Sequence, residues 1–324
     1  MAARLHPTPR HASPIVDLRT ITAMDLEPVL QEETAAWRTE LDWDFDKSAD
    51  LVRRFVDLRA LNGSALMEDG SVTGYLYYVL EENKGLVGDL YVRKALRTKE
   101  RENLLLESAI TAIVGNPYIR RVESQLMMLT YDARRVLPHS HKARSYDRNF
   151  MRVELPEADL TEGRVRRPMY VERWTDLYQD DAAVLIAKSY AGHIDSQIND
   201  QYRSVMGARR FLHNIVEYPG CGTFYRPASY AAFEAATGRL CGISLASLVS
   251  SDCGHITQIC VSQEVRGTGI GHALFRRSLQ TLREVGCHAA SLTVTSANAD
   301  AVALYERVGF RTIRRFSAFS WEGL

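Results

Sequence analysis

Gln258-Ile259-Cys260-Val261-Ser262-Gln263-Glu264-Val265-Arg266-Gly267-Thr268-Gly269-Ile270-Gly271-His272-Ala273-Leu274 reads as a short strand, a tight turn and the opening of a helix. Gly267, Gly269 and Gly271 remove side chains where a backbone must approach a ligand closely. A helix that begins at the Gly269-Ile270-Gly271 turn and runs to Val285, ended by Gly286, starts with unpaired N–H groups. Those groups and the helix dipole suit a pyrophosphate, and Arg266 adds a charge-assisted contact. Taken alone, the same glycines are also compatible with a simple tight turn.

Strands alternate with helices on both sides of this stretch. Residues 180–190 carry a helix-like apolar cluster, and Gly207 to Val216 reads as another helix, ended by Tyr218-Pro219-Gly220-Cys221-Gly222. Tyr230 to Ala235 and Leu240 to Val249, joined at Thr237-Gly238, read as a hairpin. Gly254 to Val261 and Ala289 to Thr295 are further strands. Asn298 to Arg307 is a helix, and Phe310 to Trp321 a last strand region. The alternation predicts an α/β fold.

The first half of the chain echoes this plan. At a constant spacing of 169 residues, Val92 meets Val261, Arg97 meets Arg266 and Leu105 meets Leu274. Leu90, Leu96, Ile110 and Ile113 likewise meet Ile259, Val265, Leu279 and Leu282. A tandem duplication is the reading. Residues 1–14 form a flexible tail, 15–155 the first domain, 156–168 a solvated linker and 169–324 the second domain. Met169 to Arg173 and Ile15 to Arg19 are the expected first strands of the two domains.

The 324 residues are enough for two domains. Lys plus Arg and Asp plus Glu number 40 each, so no net field draws the chain to nucleic acid or an anionic membrane. No apolar run approaches the roughly 20 residues that span a bilayer. The five cysteines, Cys221, Cys241, Cys253, Cys260 and Cys287, form neither a paired framework nor a zinc pattern. Reduced thiols in a cytoplasmic protein, with no metal, are expected.

Asn298-Ala299-Asp300-Ala301-Val302-Ala303-Leu304-Tyr305-Glu306-Arg307-Val308-Gly309-Phe310 begins 27 residues beyond the glycine turn. Val261 to Leu274 resembles motif A of the GNAT acyltransferase superfamily, Arg/Gln-x-x-Gly-x-Gly/Ala. Asn298 to Phe310 resembles its motif B, Asn-x-x-Ala-x-x-Leu-Tyr followed by Gly-Phe. The resemblance implies two tandem GNAT-like domains, each a mixed, mostly antiparallel twisted sheet flanked by helices. It implies acetyl-CoA as acyl donor. The N–H groups of Arg266, Gly267, Thr268, Gly269, Ile270 and Gly271 would cradle its pyrophosphate, and a splayed strand at Ile259-Cys260-Val261 would pair with its pantetheine arm. Asn298 would touch that arm, or serve only as an N-cap. Tyr305 would protonate the departing thiolate, or only pack in the core.

The first half departs from the pattern. Arg97-Thr98-Lys99-Glu100-Arg101-Glu102 puts carboxylates in the places of Gly269 and Gly271. A carboxylate repels a pyrophosphate and blocks backbone approach. The layout resembles tandem GNAT enzymes in which one half is degenerate, so one active site per chain is expected.

The proton acceptor is less defined. The family often places Glu where this chain has Thr257, which is no base. Strand alternation puts His255 on the same face as Thr257 unless a bulge intervenes. His255 is therefore a candidate base or an incidental strand-end histidine. Glu217 is an alternative base. The polar run His193 to Arg203 either lines an amine pocket, with His193, Asp195 or Asp200 near the acceptor, or is a solvated loop. The expected function is acetyl transfer to a primary amine of a small molecule. Alternatives are transfer to a protein or peptide amine, or a non-catalytic CoA-binding regulatory role. The oligomeric state is not legible.

Overall fold

The structure, a computed structural model, describes residues 14–218 and 220–324. All of the expected tail except Pro14, and Pro219 of the turn after residue 218, lie outside the described residues. The first half contains β1 (Ile15–Asp17), α1 (Ala23–Leu41), α2 (Asp46–Asp57), β2 (Asn62–Glu68), β3 (Ser71–Glu81), β4 (Lys84–Val92), α3 (Lys99–Val114), β5 (Arg121–Gln125) and β6 (Ala143–Glu154). The second contains β7 (Met169–Arg173), α4 (Gln179–Ser189), α5 (Asp195–Ile198), α6 (Val205–Glu217), β8 (Thr223–Phe224), β9 (Tyr230–Glu234) and β10 (Leu240–Leu248). It continues with β11 (Cys253–Val261), α7 (Ile270–Glu284), β12 (Ala289–Thr295), α8 (Ala299–Val308) and β13 (Arg311–Glu322).

Local chemistry sets the boundaries. Thr22 caps α1 through a reciprocal bond with Asp25, Ser204 caps α6, and Gly309 ends α8 in the left-handed conformation. The spacing of 169 residues survives into three dimensions. Val92 ends β4 as Val261 ends β11, and the single 3₁₀ turns Lys94–Leu96 and Gln263–Val265 follow at the same spacing. Each strand carries a bulge at the matching place, Gly88 in β4 and Thr257 in β11. Each pairs with its parallel neighbour only in its first part: β4 with β5 up to Val87, β11 with β12 up to Ile256. Beyond those residues both strands open away from their neighbours.

The two halves do not keep separate sheets. Their strands join in one 13-stranded sheet running β1-β2-β3-β4-β5-β13-β6-β12-β11-β10-β9-β7, with β8 on β10. The last strand of each half crosses to the other: β13 pairs with β5, and β6 pairs with β12. β6 and β13 then pair with each other along nearly their whole length, from Arg152↔Arg311 to Ala143↔Trp321. Separate apolar clusters cover the sheet, one under α3 with Leu105, Leu106 and Ile110, another under α7 with Phe275, Leu279 and Leu282.

The equivalence breaks after β5. Where the second half has α8, residues 126–142 of the first form turns and coil. Glu102 also does something other than face a phosphate site. It is buried, and it accepts from Thr130 N and Oγ1 at 2.9 Å and from Arg135 at 2.6 Å. It therefore pins residues 126–142 across the start of α3. The linker differs from a merely solvated connector as well. Arg166 N donates to Thr268 O at 2.8 Å, and Val165 packs beside Ile270.

The Glu102–Arg135 pair is almost wholly buried, with side chains 1% and 2% exposed. Removing one partner strands a buried charge. Glu102→Ala is expected to lower unfolding free energy by about 3–5 kcal/mol in denaturant titration. A double Glu102→Leu, Arg135→Met variant should lose much less, and equal losses would show that the ion pair is not what holds this loop.

Candidate functional site

A cleft of about 940 Å³ crosses the molecule and draws its lining from both halves. One end is the glycine turn, with Arg266, Gly267, Gly269, Gly271 and His272. Gly267 and Gly269 have φ of 72° and 93°, which side-chain-bearing residues seldom adopt. A Cβ on Gly269 would lie 2.5 Å from Arg164 O, so the linker also requires glycine there. Gly271 is different: a Cβ would meet nothing nearer than Val261 at 3.6 Å, and the space is open to the cleft. Gly269 stands at the N-cap of α7 and offers no side-chain acceptor. The N–H groups of Ile270, Gly271 and His272 thus have no helical partner.

Two parts of the expected cradle are otherwise engaged. Arg266 N and Thr268 N bond within the turn to Gln263 O and Val265 O. The Arg266 guanidinium donates to Ser189 O at 2.8 Å, tying the end of α4 to the turn. The Thr268 hydroxyl donates to Val265 O, and the Ile270 side chain is in the core. The anion site therefore rests on backbone, not on the Arg266 charge. His272 and Arg307 are cationic or polar groups that also reach the cleft near this end.

From the turn the cleft follows Ile259, Cys260 and Val261, the stretch of β11 that has left β12. Its backbone edge on that side faces the cleft, as a pantetheine arm requires. Thr98 shows the contrast in the first half. It caps α3 through its hydroxyl and Arg101 N, so that helix start is satisfied by its own side chain.

Tyr305 lies on α8 against Phe275 and Phe310, with ring centroids 5.1 and 6.2 Å away, and reaches the cleft. Burial pushes its phenol above the usual tyrosine range, so it stays protonated at neutral pH. No protein group hydrogen-bonds its hydroxyl among the described residues. Asn298 is the N-cap of α8, accepting from Ala301 N at 3.4 Å; it also lines the cleft beside His193 Nε2 at 3.5 Å. Cys260 is a thiol, not a thiolate, because burial pushes it up to about 11.

The base candidates are placed less favourably. Glu217 is exposed at the end of α6 and is not among the cleft residues, which corrects its assignment as a base. Thr257 occupies the bulge, so simple alternation with His255 does not apply; its hydroxyl donates to Leu245 O at 3.0 Å. His255 does line the cleft. Its Nδ1 lies 2.9 Å from Ser291 Oγ, its ring meets Trp43 at 5.0 Å, and burial pushes it down to about 3. A group that weak stays neutral and does not store the amine's proton. Asp195 is no free carboxylate: Arg148 lies 3.7 Å away, and the Thr295 hydroxyl donates to its Oδ1. Asp200 is held by Lys84 at 2.6 Å.

Residues 196–310 match the family described as Acetyltransferase (GNAT) family. These residues form a GNAT acetyltransferase-family domain. A mycothiol acetyltransferase of Pseudarthrobacter chlorophenolicus is 28% identical over 163 residues, 49% of this chain and 46% of that protein. The chain spans less than half the length of the curated relatives it matches. The structure resembles a GCN5-related N-acetyltransferase from Sphaerobacter thermophilus, TM-score 0.64 at 16% identity, over 96% of both chains. It resembles a tandem GNAT protein from the clavulanic acid biosynthesis pathway at TM-score 0.61 and 18% identity, over 96% of this chain and 98% of that one. The whole chain has the tandem GNAT fold.

Several cleft residues carry no signal in the sequence. Trp37, Trp43, Tyr77, Gly88, Asp89 and Gln125 reach it from the first half. The spacing of 169 residues already aligned Asp89 with Gln258, but only the shared sheet brings Asp89 to the cleft. Gln258 itself bonds Tyr190 at 2.9 Å, beneath the Tyr190–Tyr202 stack.

Gly271→Glu should fold normally and lose at least about 100-fold in acetyl-CoA affinity by calorimetry, because it adds charge where a Cβ fits. Gly269→Ala should instead cost about 1–3 kcal/mol in unfolding experiments. His255 binds no proton when folded until about pH 3 but does so below about 6.5 when unfolded. It therefore makes stability fall as pH drops from 6.5 towards 3. His255→Gln should flatten that fall by roughly 1.4 kcal/mol per pH unit, read from denaturant midpoints across this range.

Proposed function

We propose that this chain transfers the acetyl group of acetyl-CoA to a primary amine of a small molecule, directly, with Tyr305 as general acid. The observation that carries the reading is the conjunction in one cleft of an uncapped glycine turn, an unpaired strand edge and a buried neutral phenol. The fit to the donor rests on these groups. N–H groups at the start of α7 would bind the pyrophosphate, and the open edge at 257–261 would align the pantetheine arm. In the step itself the amine nitrogen attacks the thioester carbonyl. The C–N bond forms, the C–S bond breaks, the sulfur takes a proton from Tyr305, and the proton that the amine nitrogen sheds returns to the Tyr305 phenolate.

Backbone N–H groups of the open strand edge would stabilise the oxyanion that develops on the carbonyl. Tyr305 supports the acid role because a neutral donor sits comfortably in an apolar wall until negative charge appears on sulfur. Direct transfer also accords with Cys260 being a thiol, since no covalent acyl-protein step is needed. A small acceptor is favoured by the cleft taking its walls from both halves, with Trp37, Trp43 and Tyr77 of the first half in its lining.

Tyr305→Phe tests the acid assignment. With acetyl-CoA and a free primary amine that the unmodified protein acetylates, kcat in a thiol-release assay should fall about 100-fold or more. Acetyl-CoA affinity should stay within about twofold, because the ring packing is unchanged. Unaltered kcat would remove Tyr305 from the chemistry.

A further inference from the structure

We infer that the opening between β4 and β5 in the first half is an anchoring pocket for a second cationic group on the acceptor, with Asp89 as its counter-charge and Glu33 buried behind it. The inference rests on the acyl-transfer reading and narrows its acceptor to amines that carry another cation.

The opening is the first-half equivalent of the pantetheine slot. β4 leaves β5 after Val87, just as β11 leaves β12 after Ile256. Its phosphate end is closed by the Thr98 cap and by Glu102 with Arg135. Its other end faces the shared cleft, where Gly88, Asp89, Gln125 and Met127 form the lining. A long acceptor reaching from the acyl end therefore has a preformed place to put its distal part.

That place is acidic and holds no cationic partner. Asp89 is 5% exposed and Glu33 is 0% exposed. Asp89 accepts from Leu90 N at 2.7 Å, and Glu33 Oε2 accepts from the Tyr75 hydroxyl at 2.7 Å. Glu33 Oε1 has no hydrogen-bond partner. Trp37 Nε1 has none either, and Trp37, 5% exposed, lines the cleft. No lysine or arginine forms an ion pair with Asp89 or Glu33 among the described residues. Other buried acids do have such partners: Glu102 has Arg135, and Glu123 has Lys84 and Arg121.

Two adjacent buried carboxyls do not both ionise readily. Burial and the Asp89 charge raise Glu33, and burial raises Asp89. A buried carboxylate without a cationic partner is costly, and a cation in the cleft would relieve that cost. Trp37 and Tyr77 line the cleft as well. An uncharged or anionic distal group would leave the charge unmatched.

The test is calorimetric titration of the CoA-bound protein. The probes are α,ω-diaminoalkanes of three to eight carbons and 1-aminoalkanes of the same lengths. At least one diamine should bind about 30-fold tighter than its matched monoamine. Asp89→Asn and Glu33→Gln, which keep the Leu90 and Tyr75 hydrogen bonds, should each cut that advantage below about threefold. Diamines binding no tighter than monoamines to the unmodified protein would overturn the inference, with no variant needed. An advantage that survives in both variants would overturn it as well. Acetylation of the same probes separates this inference from the reading it rests on. Asp89-dependent diamine binding without turnover refutes acyl transfer and leaves the pocket standing. Monoamine turnover with no diamine advantage refutes the pocket and leaves acyl transfer standing.

Discussion

The antiparallel pairing of β6 with β13 at the centre of the sheet is the constraint on which the rest of the molecule depends. Each of these strands belongs by sequence to one half and, by its other edge, to the sheet of the other half. The exchange makes folding of the halves interdependent, because neither sheet is complete without the partner's last strand. It also fixes the two strand openings relative to one another. The loop after α1 is carried against β11, where Asp44 N bonds Val249 O at 2.7 Å and Trp43 meets His255. One cleft with two unlike ends results, instead of two separate grooves on two separate domains.

The difference between the ends comes from how two equivalent helix starts satisfy their N–H groups. A helix leaves its first N–H groups without partners, and a side chain or a ligand must supply acceptors. At α3, Thr98 provides one, and Glu102 two positions into the next turn recruits Thr130 and Arg135 to cover the site. At α7, Gly269 provides none, and its left-handed conformation turns the chain so that the N–H groups point into the cleft. The fold is held constant while a few side chains decide whether an anion binds.

Much of this was legible in the sequence. The 169-residue echo, the strand–turn–helix at Gln258–Leu274 and the helix at Asn298 all follow from periodicity and glycine placement. The helix expected to reach Val285 ends at Glu284, and the strand expected at Met169–Arg173 is β7. Three things were not legible. Strand exchange leaves no trace in local pattern, since β6 and β13 read as strands whichever sheet they join. The Thr257 bulge breaks an alternation that the sequence alone suggested for His255. The fate of individual charges depends on partners far along the chain: Asp195 on Arg148, Asp200 on Lys84, Arg266 on Ser189. Asp89 went unnoticed for the same reason, because only the sheet as a whole brings it to face the second half's site.

The distribution of charge along the cleft bears on how an amine loses its proton without an obvious base. Around the acyl end the groups are neutral: His255 is pushed down to about 3, Cys260 up to about 11, and Tyr305 is held protonated. Asp195, in the cleft lining, lies 3.7 Å from Arg148. An ammonium brought there loses hydration and meets no counter-ion, so its pKa falls. For a simple alkyl amine, reaching the neutral form at pH 7 costs about 4 kcal/mol in water. Desolvation in a neutral wall shifts the proton loss to the entry of the acceptor, before the chemical step. The Asp89–Glu33 end has the opposite character and stabilises charge. A cleft that is neutral at one end and acidic at the other would orient a doubly cationic acceptor by its charges, presenting to the thioester the amine that sheds its proton and keeping the other protonated.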